Sequence, residues 1–227
     1  MGRLSNQVLG DASGKVGHMV FRVRKGTNII SKVPAKRTSV PTEKELAIRE
    51  KFGLTGKVAR GIYSIPQLRE VWPKLSGKLT VCNEIFQVNY PLLNTLADLG
   101  TVSVAPIYGF NALNPVVTVG ANSVQLATNA LGVGVGINTA IEKYMIVCGV
   151  AILQDPTMAS WPKSEVVSFK SIQQNLDLIN PIDVTAQLAG GDLTKFVGYA
   201  TRAAFVCIIT LDDNGKAIRY SQTFQSA

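Results

Sequence analysis

With 227 residues, 46% of them apolar, the chain can bury one large core or two small ones, which excludes a disordered protein. Only 17% of the residues are charged and one is histidine, so multi-histidine metal sites are excluded and little of the surface can carry charge. The net charge of +8 is concentrated: residues 1–70 hold 14 Lys/Arg against 5 Asp/Glu and residues 71–227 hold 9 against 10, so the N-terminal third alone is strongly basic.

No apolar stretch follows Met1 to Asn6, and Asn6 stands where an N-myristoylation signal has Ser or Thr, so neither a signal peptide nor a lipid anchor is expected. Gly10 to Gly14 reads as a turn. Val16 to Arg24 alternates as a strand, with Met19, Phe21 and Val23 on one face and Arg22 and Arg24 on the other. Lys25 to Asn28 closes a hairpin with Ile29 to Val33, and Pro34 ends the return strand. Residues 1–40 are therefore expected to form a basic β-hairpin arm, in which Arg22, Arg24, Lys25, Lys32, Lys36 and Arg37 are the candidate partner-binding residues.

Residues 41–98 are expected to be helical. Thr42-Glu43-Lys44-Glu45 has the spacing of a capping box and predicts a helix start, followed by an imperfect apolar stripe of Leu46, Ile48, Phe52, Val58, Ala59 and Ile62. Gly53 and Gly56 weaken that helix. Ser64 as N-cap, through Pro66 to Trp72, predicts a second short helix, and Cys82 to Leu96 a third that Pro91 must kink or split.

Residues 99–227 read as β. Leu99 to Ile141 contains no charged residue, but Pro106, Asn111, Asn114, Pro115, Asn122, Gln125 and Asn129 exclude a transmembrane helix. The stretch, continued to Leu153, is expected to be packed on both faces or covered by a neighbouring subunit. Strands are expected at Asn122 to Thr128, Tyr144 to Leu153, Ser164 to Ile172, Asp183 to Leu188, Gly198 to Leu211 and Ala217 to Phe224, with a hairpin turn at Asp213-Asn214-Gly215. The fold class is mainly β with a helical N-terminal segment: a hairpin and short helices followed by an immunoglobulin-like β-sandwich.

Chemistry is sparse. His18 reads as a strand residue of the hairpin, and Asp212-Asp213 as part of a turn. In Gly132-Val133-Gly134-Val135-Gly136 the third glycine of a dinucleotide loop is replaced by Ile137, so a bulged strand or interface loop is expected there. Cys82, Cys148 and Cys207 are widely spaced and odd in number, which predicts unpaired thiols and synthesis in a reducing cytoplasm. No cofactor, metal or catalytic residue is expected. The basic arm lacks a row of exposed aromatics for base stacking, which favours a hairpin solvated by its charges or docked on an acidic neighbour over direct nucleic-acid contact.

The run Ser13-Gly14-Lys15-Val16-Gly17-His18-Met19-Val20-Phe21-Arg22, with Lys25-Gly26, Pro34, Pro41-Thr42 and Arg49…Lys51-Phe52, resembles the opening of an uncharacterised domain family common in Bacteroidota. Asn83-Glu84-Ile85-Phe86…Asn89 resembles a later block of the same family, in which two asparagines flank an aromatic. The likeness covers roughly residues 1–95 and fades beyond them. It implies an N-terminal hairpin and helices ahead of an immunoglobulin-like portion, implies no enzyme, and brings no site residues. Members look like parts of assemblies. The expected function is a non-catalytic structural subunit of a phage-like virion, such as a head, connector or tail component, with other subunits or its own copies as partners. The alternative is a nucleic-acid-binding module that uses the basic residues 15–60.

Overall fold

The structure, a computed structural model, describes residues 2–4, 13–24, 27–35, 40–72, 80–94 and 99–226. It contains two compact units, Met1–Thr42 and Glu43–Ala227. The fold is mainly β, in three antiparallel sheets, with four α-helices among the described residues.

The first unit is a four-stranded sheet built from β1 (Gly2–Leu4), β2 (Gly14–Val16), β3 (Met19–Arg24) and β4 (Thr27–Lys32), in the order β1-β4-β3-β2. The expected pairing is present, since Met19 opposes Lys32 and Arg24 opposes Thr27. The turn residues Lys25 and Gly26, and the Gly10 to Ala12 part of the first expected turn, lie outside the described residues. The continuous strand expected from Val16 to Arg24 is instead two strands. Val16 pairs with Met19 across a two-residue turn, Gly17-His18, in which Gly17 takes φ +56°. That angle suits glycine because it has no Cβ to meet the carbonyl. His18 is thus a turn residue, and the reading of it as a strand residue is corrected.

In the second unit α1 (Glu43–Ser64) begins directly after Thr42. α2 (Pro66–Val71) opens on Pro66, whose missing N–H costs nothing in a first turn; its N-cap is Ile65 and not Ser64. α3 (Val81–Leu92) is capped by Thr80, whose hydroxyl accepts the amide of Asn83 at 3.4 Å. Pro91 sits in its last turn, and Leu93 is already extended, so the proline ends the helix without splitting it.

The strands that follow are β5 (Val116–Val119), β6 (Ser123–Thr128), β7 (Tyr144–Pro156), β8 (Ser164–Lys170), β9 (Gln174–Asn175) and β10 (Ile182–Gln187). α4 (Gly190–Val197) then leads to β11 (Tyr199–Leu211), β12 (Ala217–Tyr220) and β13 (Phe224–Gln225). A six-stranded sheet runs β12-β11-β7-β8, with β13 also on β11 and β9 on β7; a three-stranded sheet runs β10-β6-β5. Leu211 and Ala217 flank the expected turn, where the Asp212 carboxylate accepts the amides of Asn214 and Lys216 at 2.9 and 2.8 Å.

β7 and β11, 13 residues each, pair along their whole length. Ile146, Cys148, Val150 and Ile152, with Phe205, Cys207 and Ile209, face a core shared with Leu54, Val58, Ile62, Leu68 and Ile85 of the helices. Met145, Val147, Ala151 and Leu153, with Val206 and Ile208, face Val117, Val124, Leu126, Val184 and Ala186 of the small sheet. The body therefore has three layers, helices on sheet on sheet. Strands buried on both faces have no use for alternating polar residues, so the uncharged sequence from Met145 to Leu153 is covered within its own chain. Helices α1, α2 and α3 share a core with the β portion. The third layer gives the larger sheet a helical cover that a two-sheet sandwich alone does not have.

The sequence reading gives no strand at β1, β5 or β9 and no helix at α4, and the single strand expected from Ala217 to Phe224 is instead two, β12 and β13. β5 is only four residues long, and α4 opens on Gly190-Gly191, the poorest of helix formers short of proline. Gly132 to Gly136 forms a short 3-10 turn over Val133–Val135, with Gly132 and Gly136 at φ +69° and +70°, so of the two forms expected, bulged strand or loop, the strand is not formed. No helix among the described residues is long and apolar enough to cross a membrane.

Candidate interaction surfaces

Chemistry first sorts the groups a reaction would need. Among the described residues no three His, Cys, Asp or Glu side chains are grouped to hold a metal ion. His18 is exposed in its turn, and Asp212 is engaged in turn hydrogen bonds.

The buried polar side chains bind the fold to itself. Glu142, 2% exposed, accepts the Asn138 amide at 2.9 Å and pairs with Arg219 Nε at 3.1 Å, while the Thr210 hydroxyl donates to its other oxygen. This ties the loop before β7 to β11 and β12. Asn89, fully buried on α3, uses its amide as a surrogate strand: Ser103 N–H donates to Oδ1 at 2.8 Å, and Nδ2 donates to Ser103 O and Ile85 O, each at 3.0 Å.

The cysteines are not all far apart. Cys148 and Cys207 are register partners on β7 and β11, fully buried, with sulfurs 3.9 Å apart, and both are free thiols. Their hydrogen bond, then burial and the neighbouring thiol, push the Cys207 thiol well above its ordinary value. Burial also pushes the Cys82 thiol up, and nearby Arg60 pulls it partly back.

The basic arm is amphipathic by register. Opposed residues of an antiparallel pair share a face, so Met19, Phe21, Val23, Val16 and Ile30 lie on one side and Lys15, Val20, Arg22 and Ile29 on the other. On the apolar side Val16, Met19 and Val23 are 64%, 48% and 39% exposed. Lys32 opposes Met19 and so stands on the apolar side, away from Arg22; the two do not form one cluster. Arg24 lies opposite Thr27 in the backbone register. Lys25, Lys36 and Arg37 lie outside the described residues.

A second surface escaped the sequence reading. Glu43 to Gly53 of α1 contains no buried residue, and Leu46, Ile48 and Phe52 are 46%, 51% and 60% exposed. Phe52 meets Phe86 of α3 at 4.9 Å between ring centroids, and Phe86 stacks on Tyr90 at 5.7 Å with 19° between planes. Lys51 places its ammonium 4.9 Å from the centroid of Tyr90. The two sequence blocks around Arg49…Lys51-Phe52 and Asn83…Phe86…Asn89 thus converge on one aromatic cluster. The available signal was the i, i+4 spacing of Phe86 and Tyr90, which places both on one helix face.

No protein-family model matches the chain, and neither a curated protein nor a solved structure does. The resemblance read over residues 1–95 stands on those residues alone.

Proposed function

We propose that the protein is a non-catalytic structural subunit that works by packing against copies of itself or other subunits, in a particle of phage-like kind. The observation that carries this reading is the N-terminal sheet. A small sheet needs a covered apolar face to be stable, yet Val16, Met19 and Val23 present theirs to solvent. The opposite side carries Lys15 and Arg22, both exposed, so the arm offers exposed Val16, Met19 and Val23 beside Lys32 on one side and two exposed cations beside Val20 and Ile29 on the other. The paucity of charge on the rest of the chain fits a surface that packs. The phage-like setting and the immunoglobulin-like description of residues 99–227 rest on resemblance, supported for the latter only by two antiparallel sheets facing each other.

The test is the mass of the full-length chain across a wide concentration range, beside Met19→Glu/Val23→Glu. Both positions are exposed, so the fold should tolerate the change. Wild-type assembly lost in the double variant is the expected outcome. A wild-type chain that stays monomeric throughout overturns the reading.

A further inference from the structure

We propose that the outer face of the α1–α3 pair binds single-stranded nucleic acid, with Phe52 as the stacking ring and Arg49, Lys51 and Arg60 as phosphate contacts. This face lies wholly within the larger unit, and the proposal does not depend on the assembly reading.

Phe52 is the most exposed ring of the cluster at 60%, and it is backed by Phe86 at 4.9 Å, which is in turn stacked on Tyr90. A supported ring with an open surface gives an unpaired base an apolar plane that favours stacking whatever the base. The cations stand around it. Lys51 is held over Tyr90 at 4.9 Å. Arg49 precedes Phe52 by three residues and so shares its side of the helix, and Arg60 is exposed and close enough to the start of α3 to act on Cys82. Between them no neighbouring side chain comes within 4 Å of where a Cβ of Gly56 would stand, and Arg60 Nε donates to the Gly56 carbonyl at 3.1 Å, which holds the guanidinium along this side of the helix.

Carboxylates are largely turned away. Glu84 of α3 is buried at 3% exposure, and Glu50 is paired with Lys163 at 3.2 Å on another side of α1. By helical spacing only Glu45, at the N-terminal end, falls on the Phe52 side. A protein-docking face concentrates apolar residues and sheds charge from its centre. Here one exposed ring, Phe52, stands beside Ile48 with Arg49 on the same side and Lys51 over Tyr90, and cations around a single stacking ring suit a polyanion whose bases present π faces. Stacking requires unpaired bases, so the ligand is single-stranded.

The experiment uses the full-length chain and a labelled oligothymidylate, with binding followed by anisotropy against salt, and a second oligonucleotide carrying 2-aminopurine to report stacking. Phe52→Leu keeps an exposed apolar side chain and removes the ring. It should weaken binding about ten-fold and abolish the 2-aminopurine quenching. Arg49→Gln/Arg60→Gln should flatten the log–log salt slope by about 1.4, two phosphates at roughly 0.7 each. Lys195→Gln, at an exposed cation on α4, should leave both the binding and the quenching intact. The proposal is overturned if the wild-type chain does not bind at low salt, or if Arg22→Gln, on the separate N-terminal sheet, removes binding while Phe52→Leu does not. It is equally overturned if Phe52→Leu dissolves a self-association of a chain that binds no oligonucleotide, which would give the face to a second copy.

Discussion

Asn89 shows how a single side chain holds two elements of this protein together. Its amide satisfies both backbone groups of Ser103 and the carbonyl of Ile85 in a site without solvent, so nothing else can replace those bonds. Asn89→Ala should lower stability by about 1–3 kcal/mol, the range for leaving buried polar groups unpaired, as measured by urea unfolding. The thiols make a second residue-scale case. Cys148 and Cys207 are fully buried with the Cys207 thiol raised, while Cys82 is half-buried. A thiolate is the reactive form and must be reachable. A disulfide-forming thiol reagent should therefore label one cysteine in the folded protein and three after denaturation, and the intact mass should show no loss of two hydrogens. Rapid labelling of all three in the native state would contradict the burial. The sequence showed three separate cysteines; that two of them touch depends on the register of β7 against β11.

At the scale of elements, the central strands decide what the layers can be. Gly149 on β7 stands where a Cβ would lie 2.0 Å from the carbonyl oxygen of Phe205 on β11. That atom is backbone, so the pair would have to separate. Gly149→Ala should cost about 1–3 kcal/mol, the range for overpacking a core, and a thermal melt within error of wild type would show that β7 and β11 can part cheaply. Gly198 is held by a similar approach, to the Trp161 ring, which itself packs on Tyr199 at 5.5 Å. β6, β7, β8, β10 and β11 were readable within two or three residues of their ends, because alternation or apolar runs bounded by turns are local signals. α4 and the turn between β2 and β3 were not. A helix that opens on two glycines and a turn inside an apolar alternation each contradict their local propensity, and packing overrides it.

At the scale of the whole molecule, the division at Thr42 leaves residues 43–227 with both hydrophobic cores of the body. Deleting residues 1–40 should leave a cooperatively melting body and abolish assembly, read by circular dichroism and by particle mass. An unchanged assembly would remove the arm as connector, and a chain that cannot fold would assign the hairpin to its own core. By itself the sequence determined the basic character of the first third, the pairing of β3 with β4, the β texture of the last 120 or so residues and the lack of metal-binding histidines. Each of these follows from composition or from neighbours a few residues apart. Only the tertiary structure decided that helices cover one face of the large sheet, that Lys32 and Arg22 stand on opposite sides of the arm, and that Phe52 meets Phe86. Those contacts join positions whose separation along the chain carries no local energy, and they form because buried apolar faces must find one another to leave water.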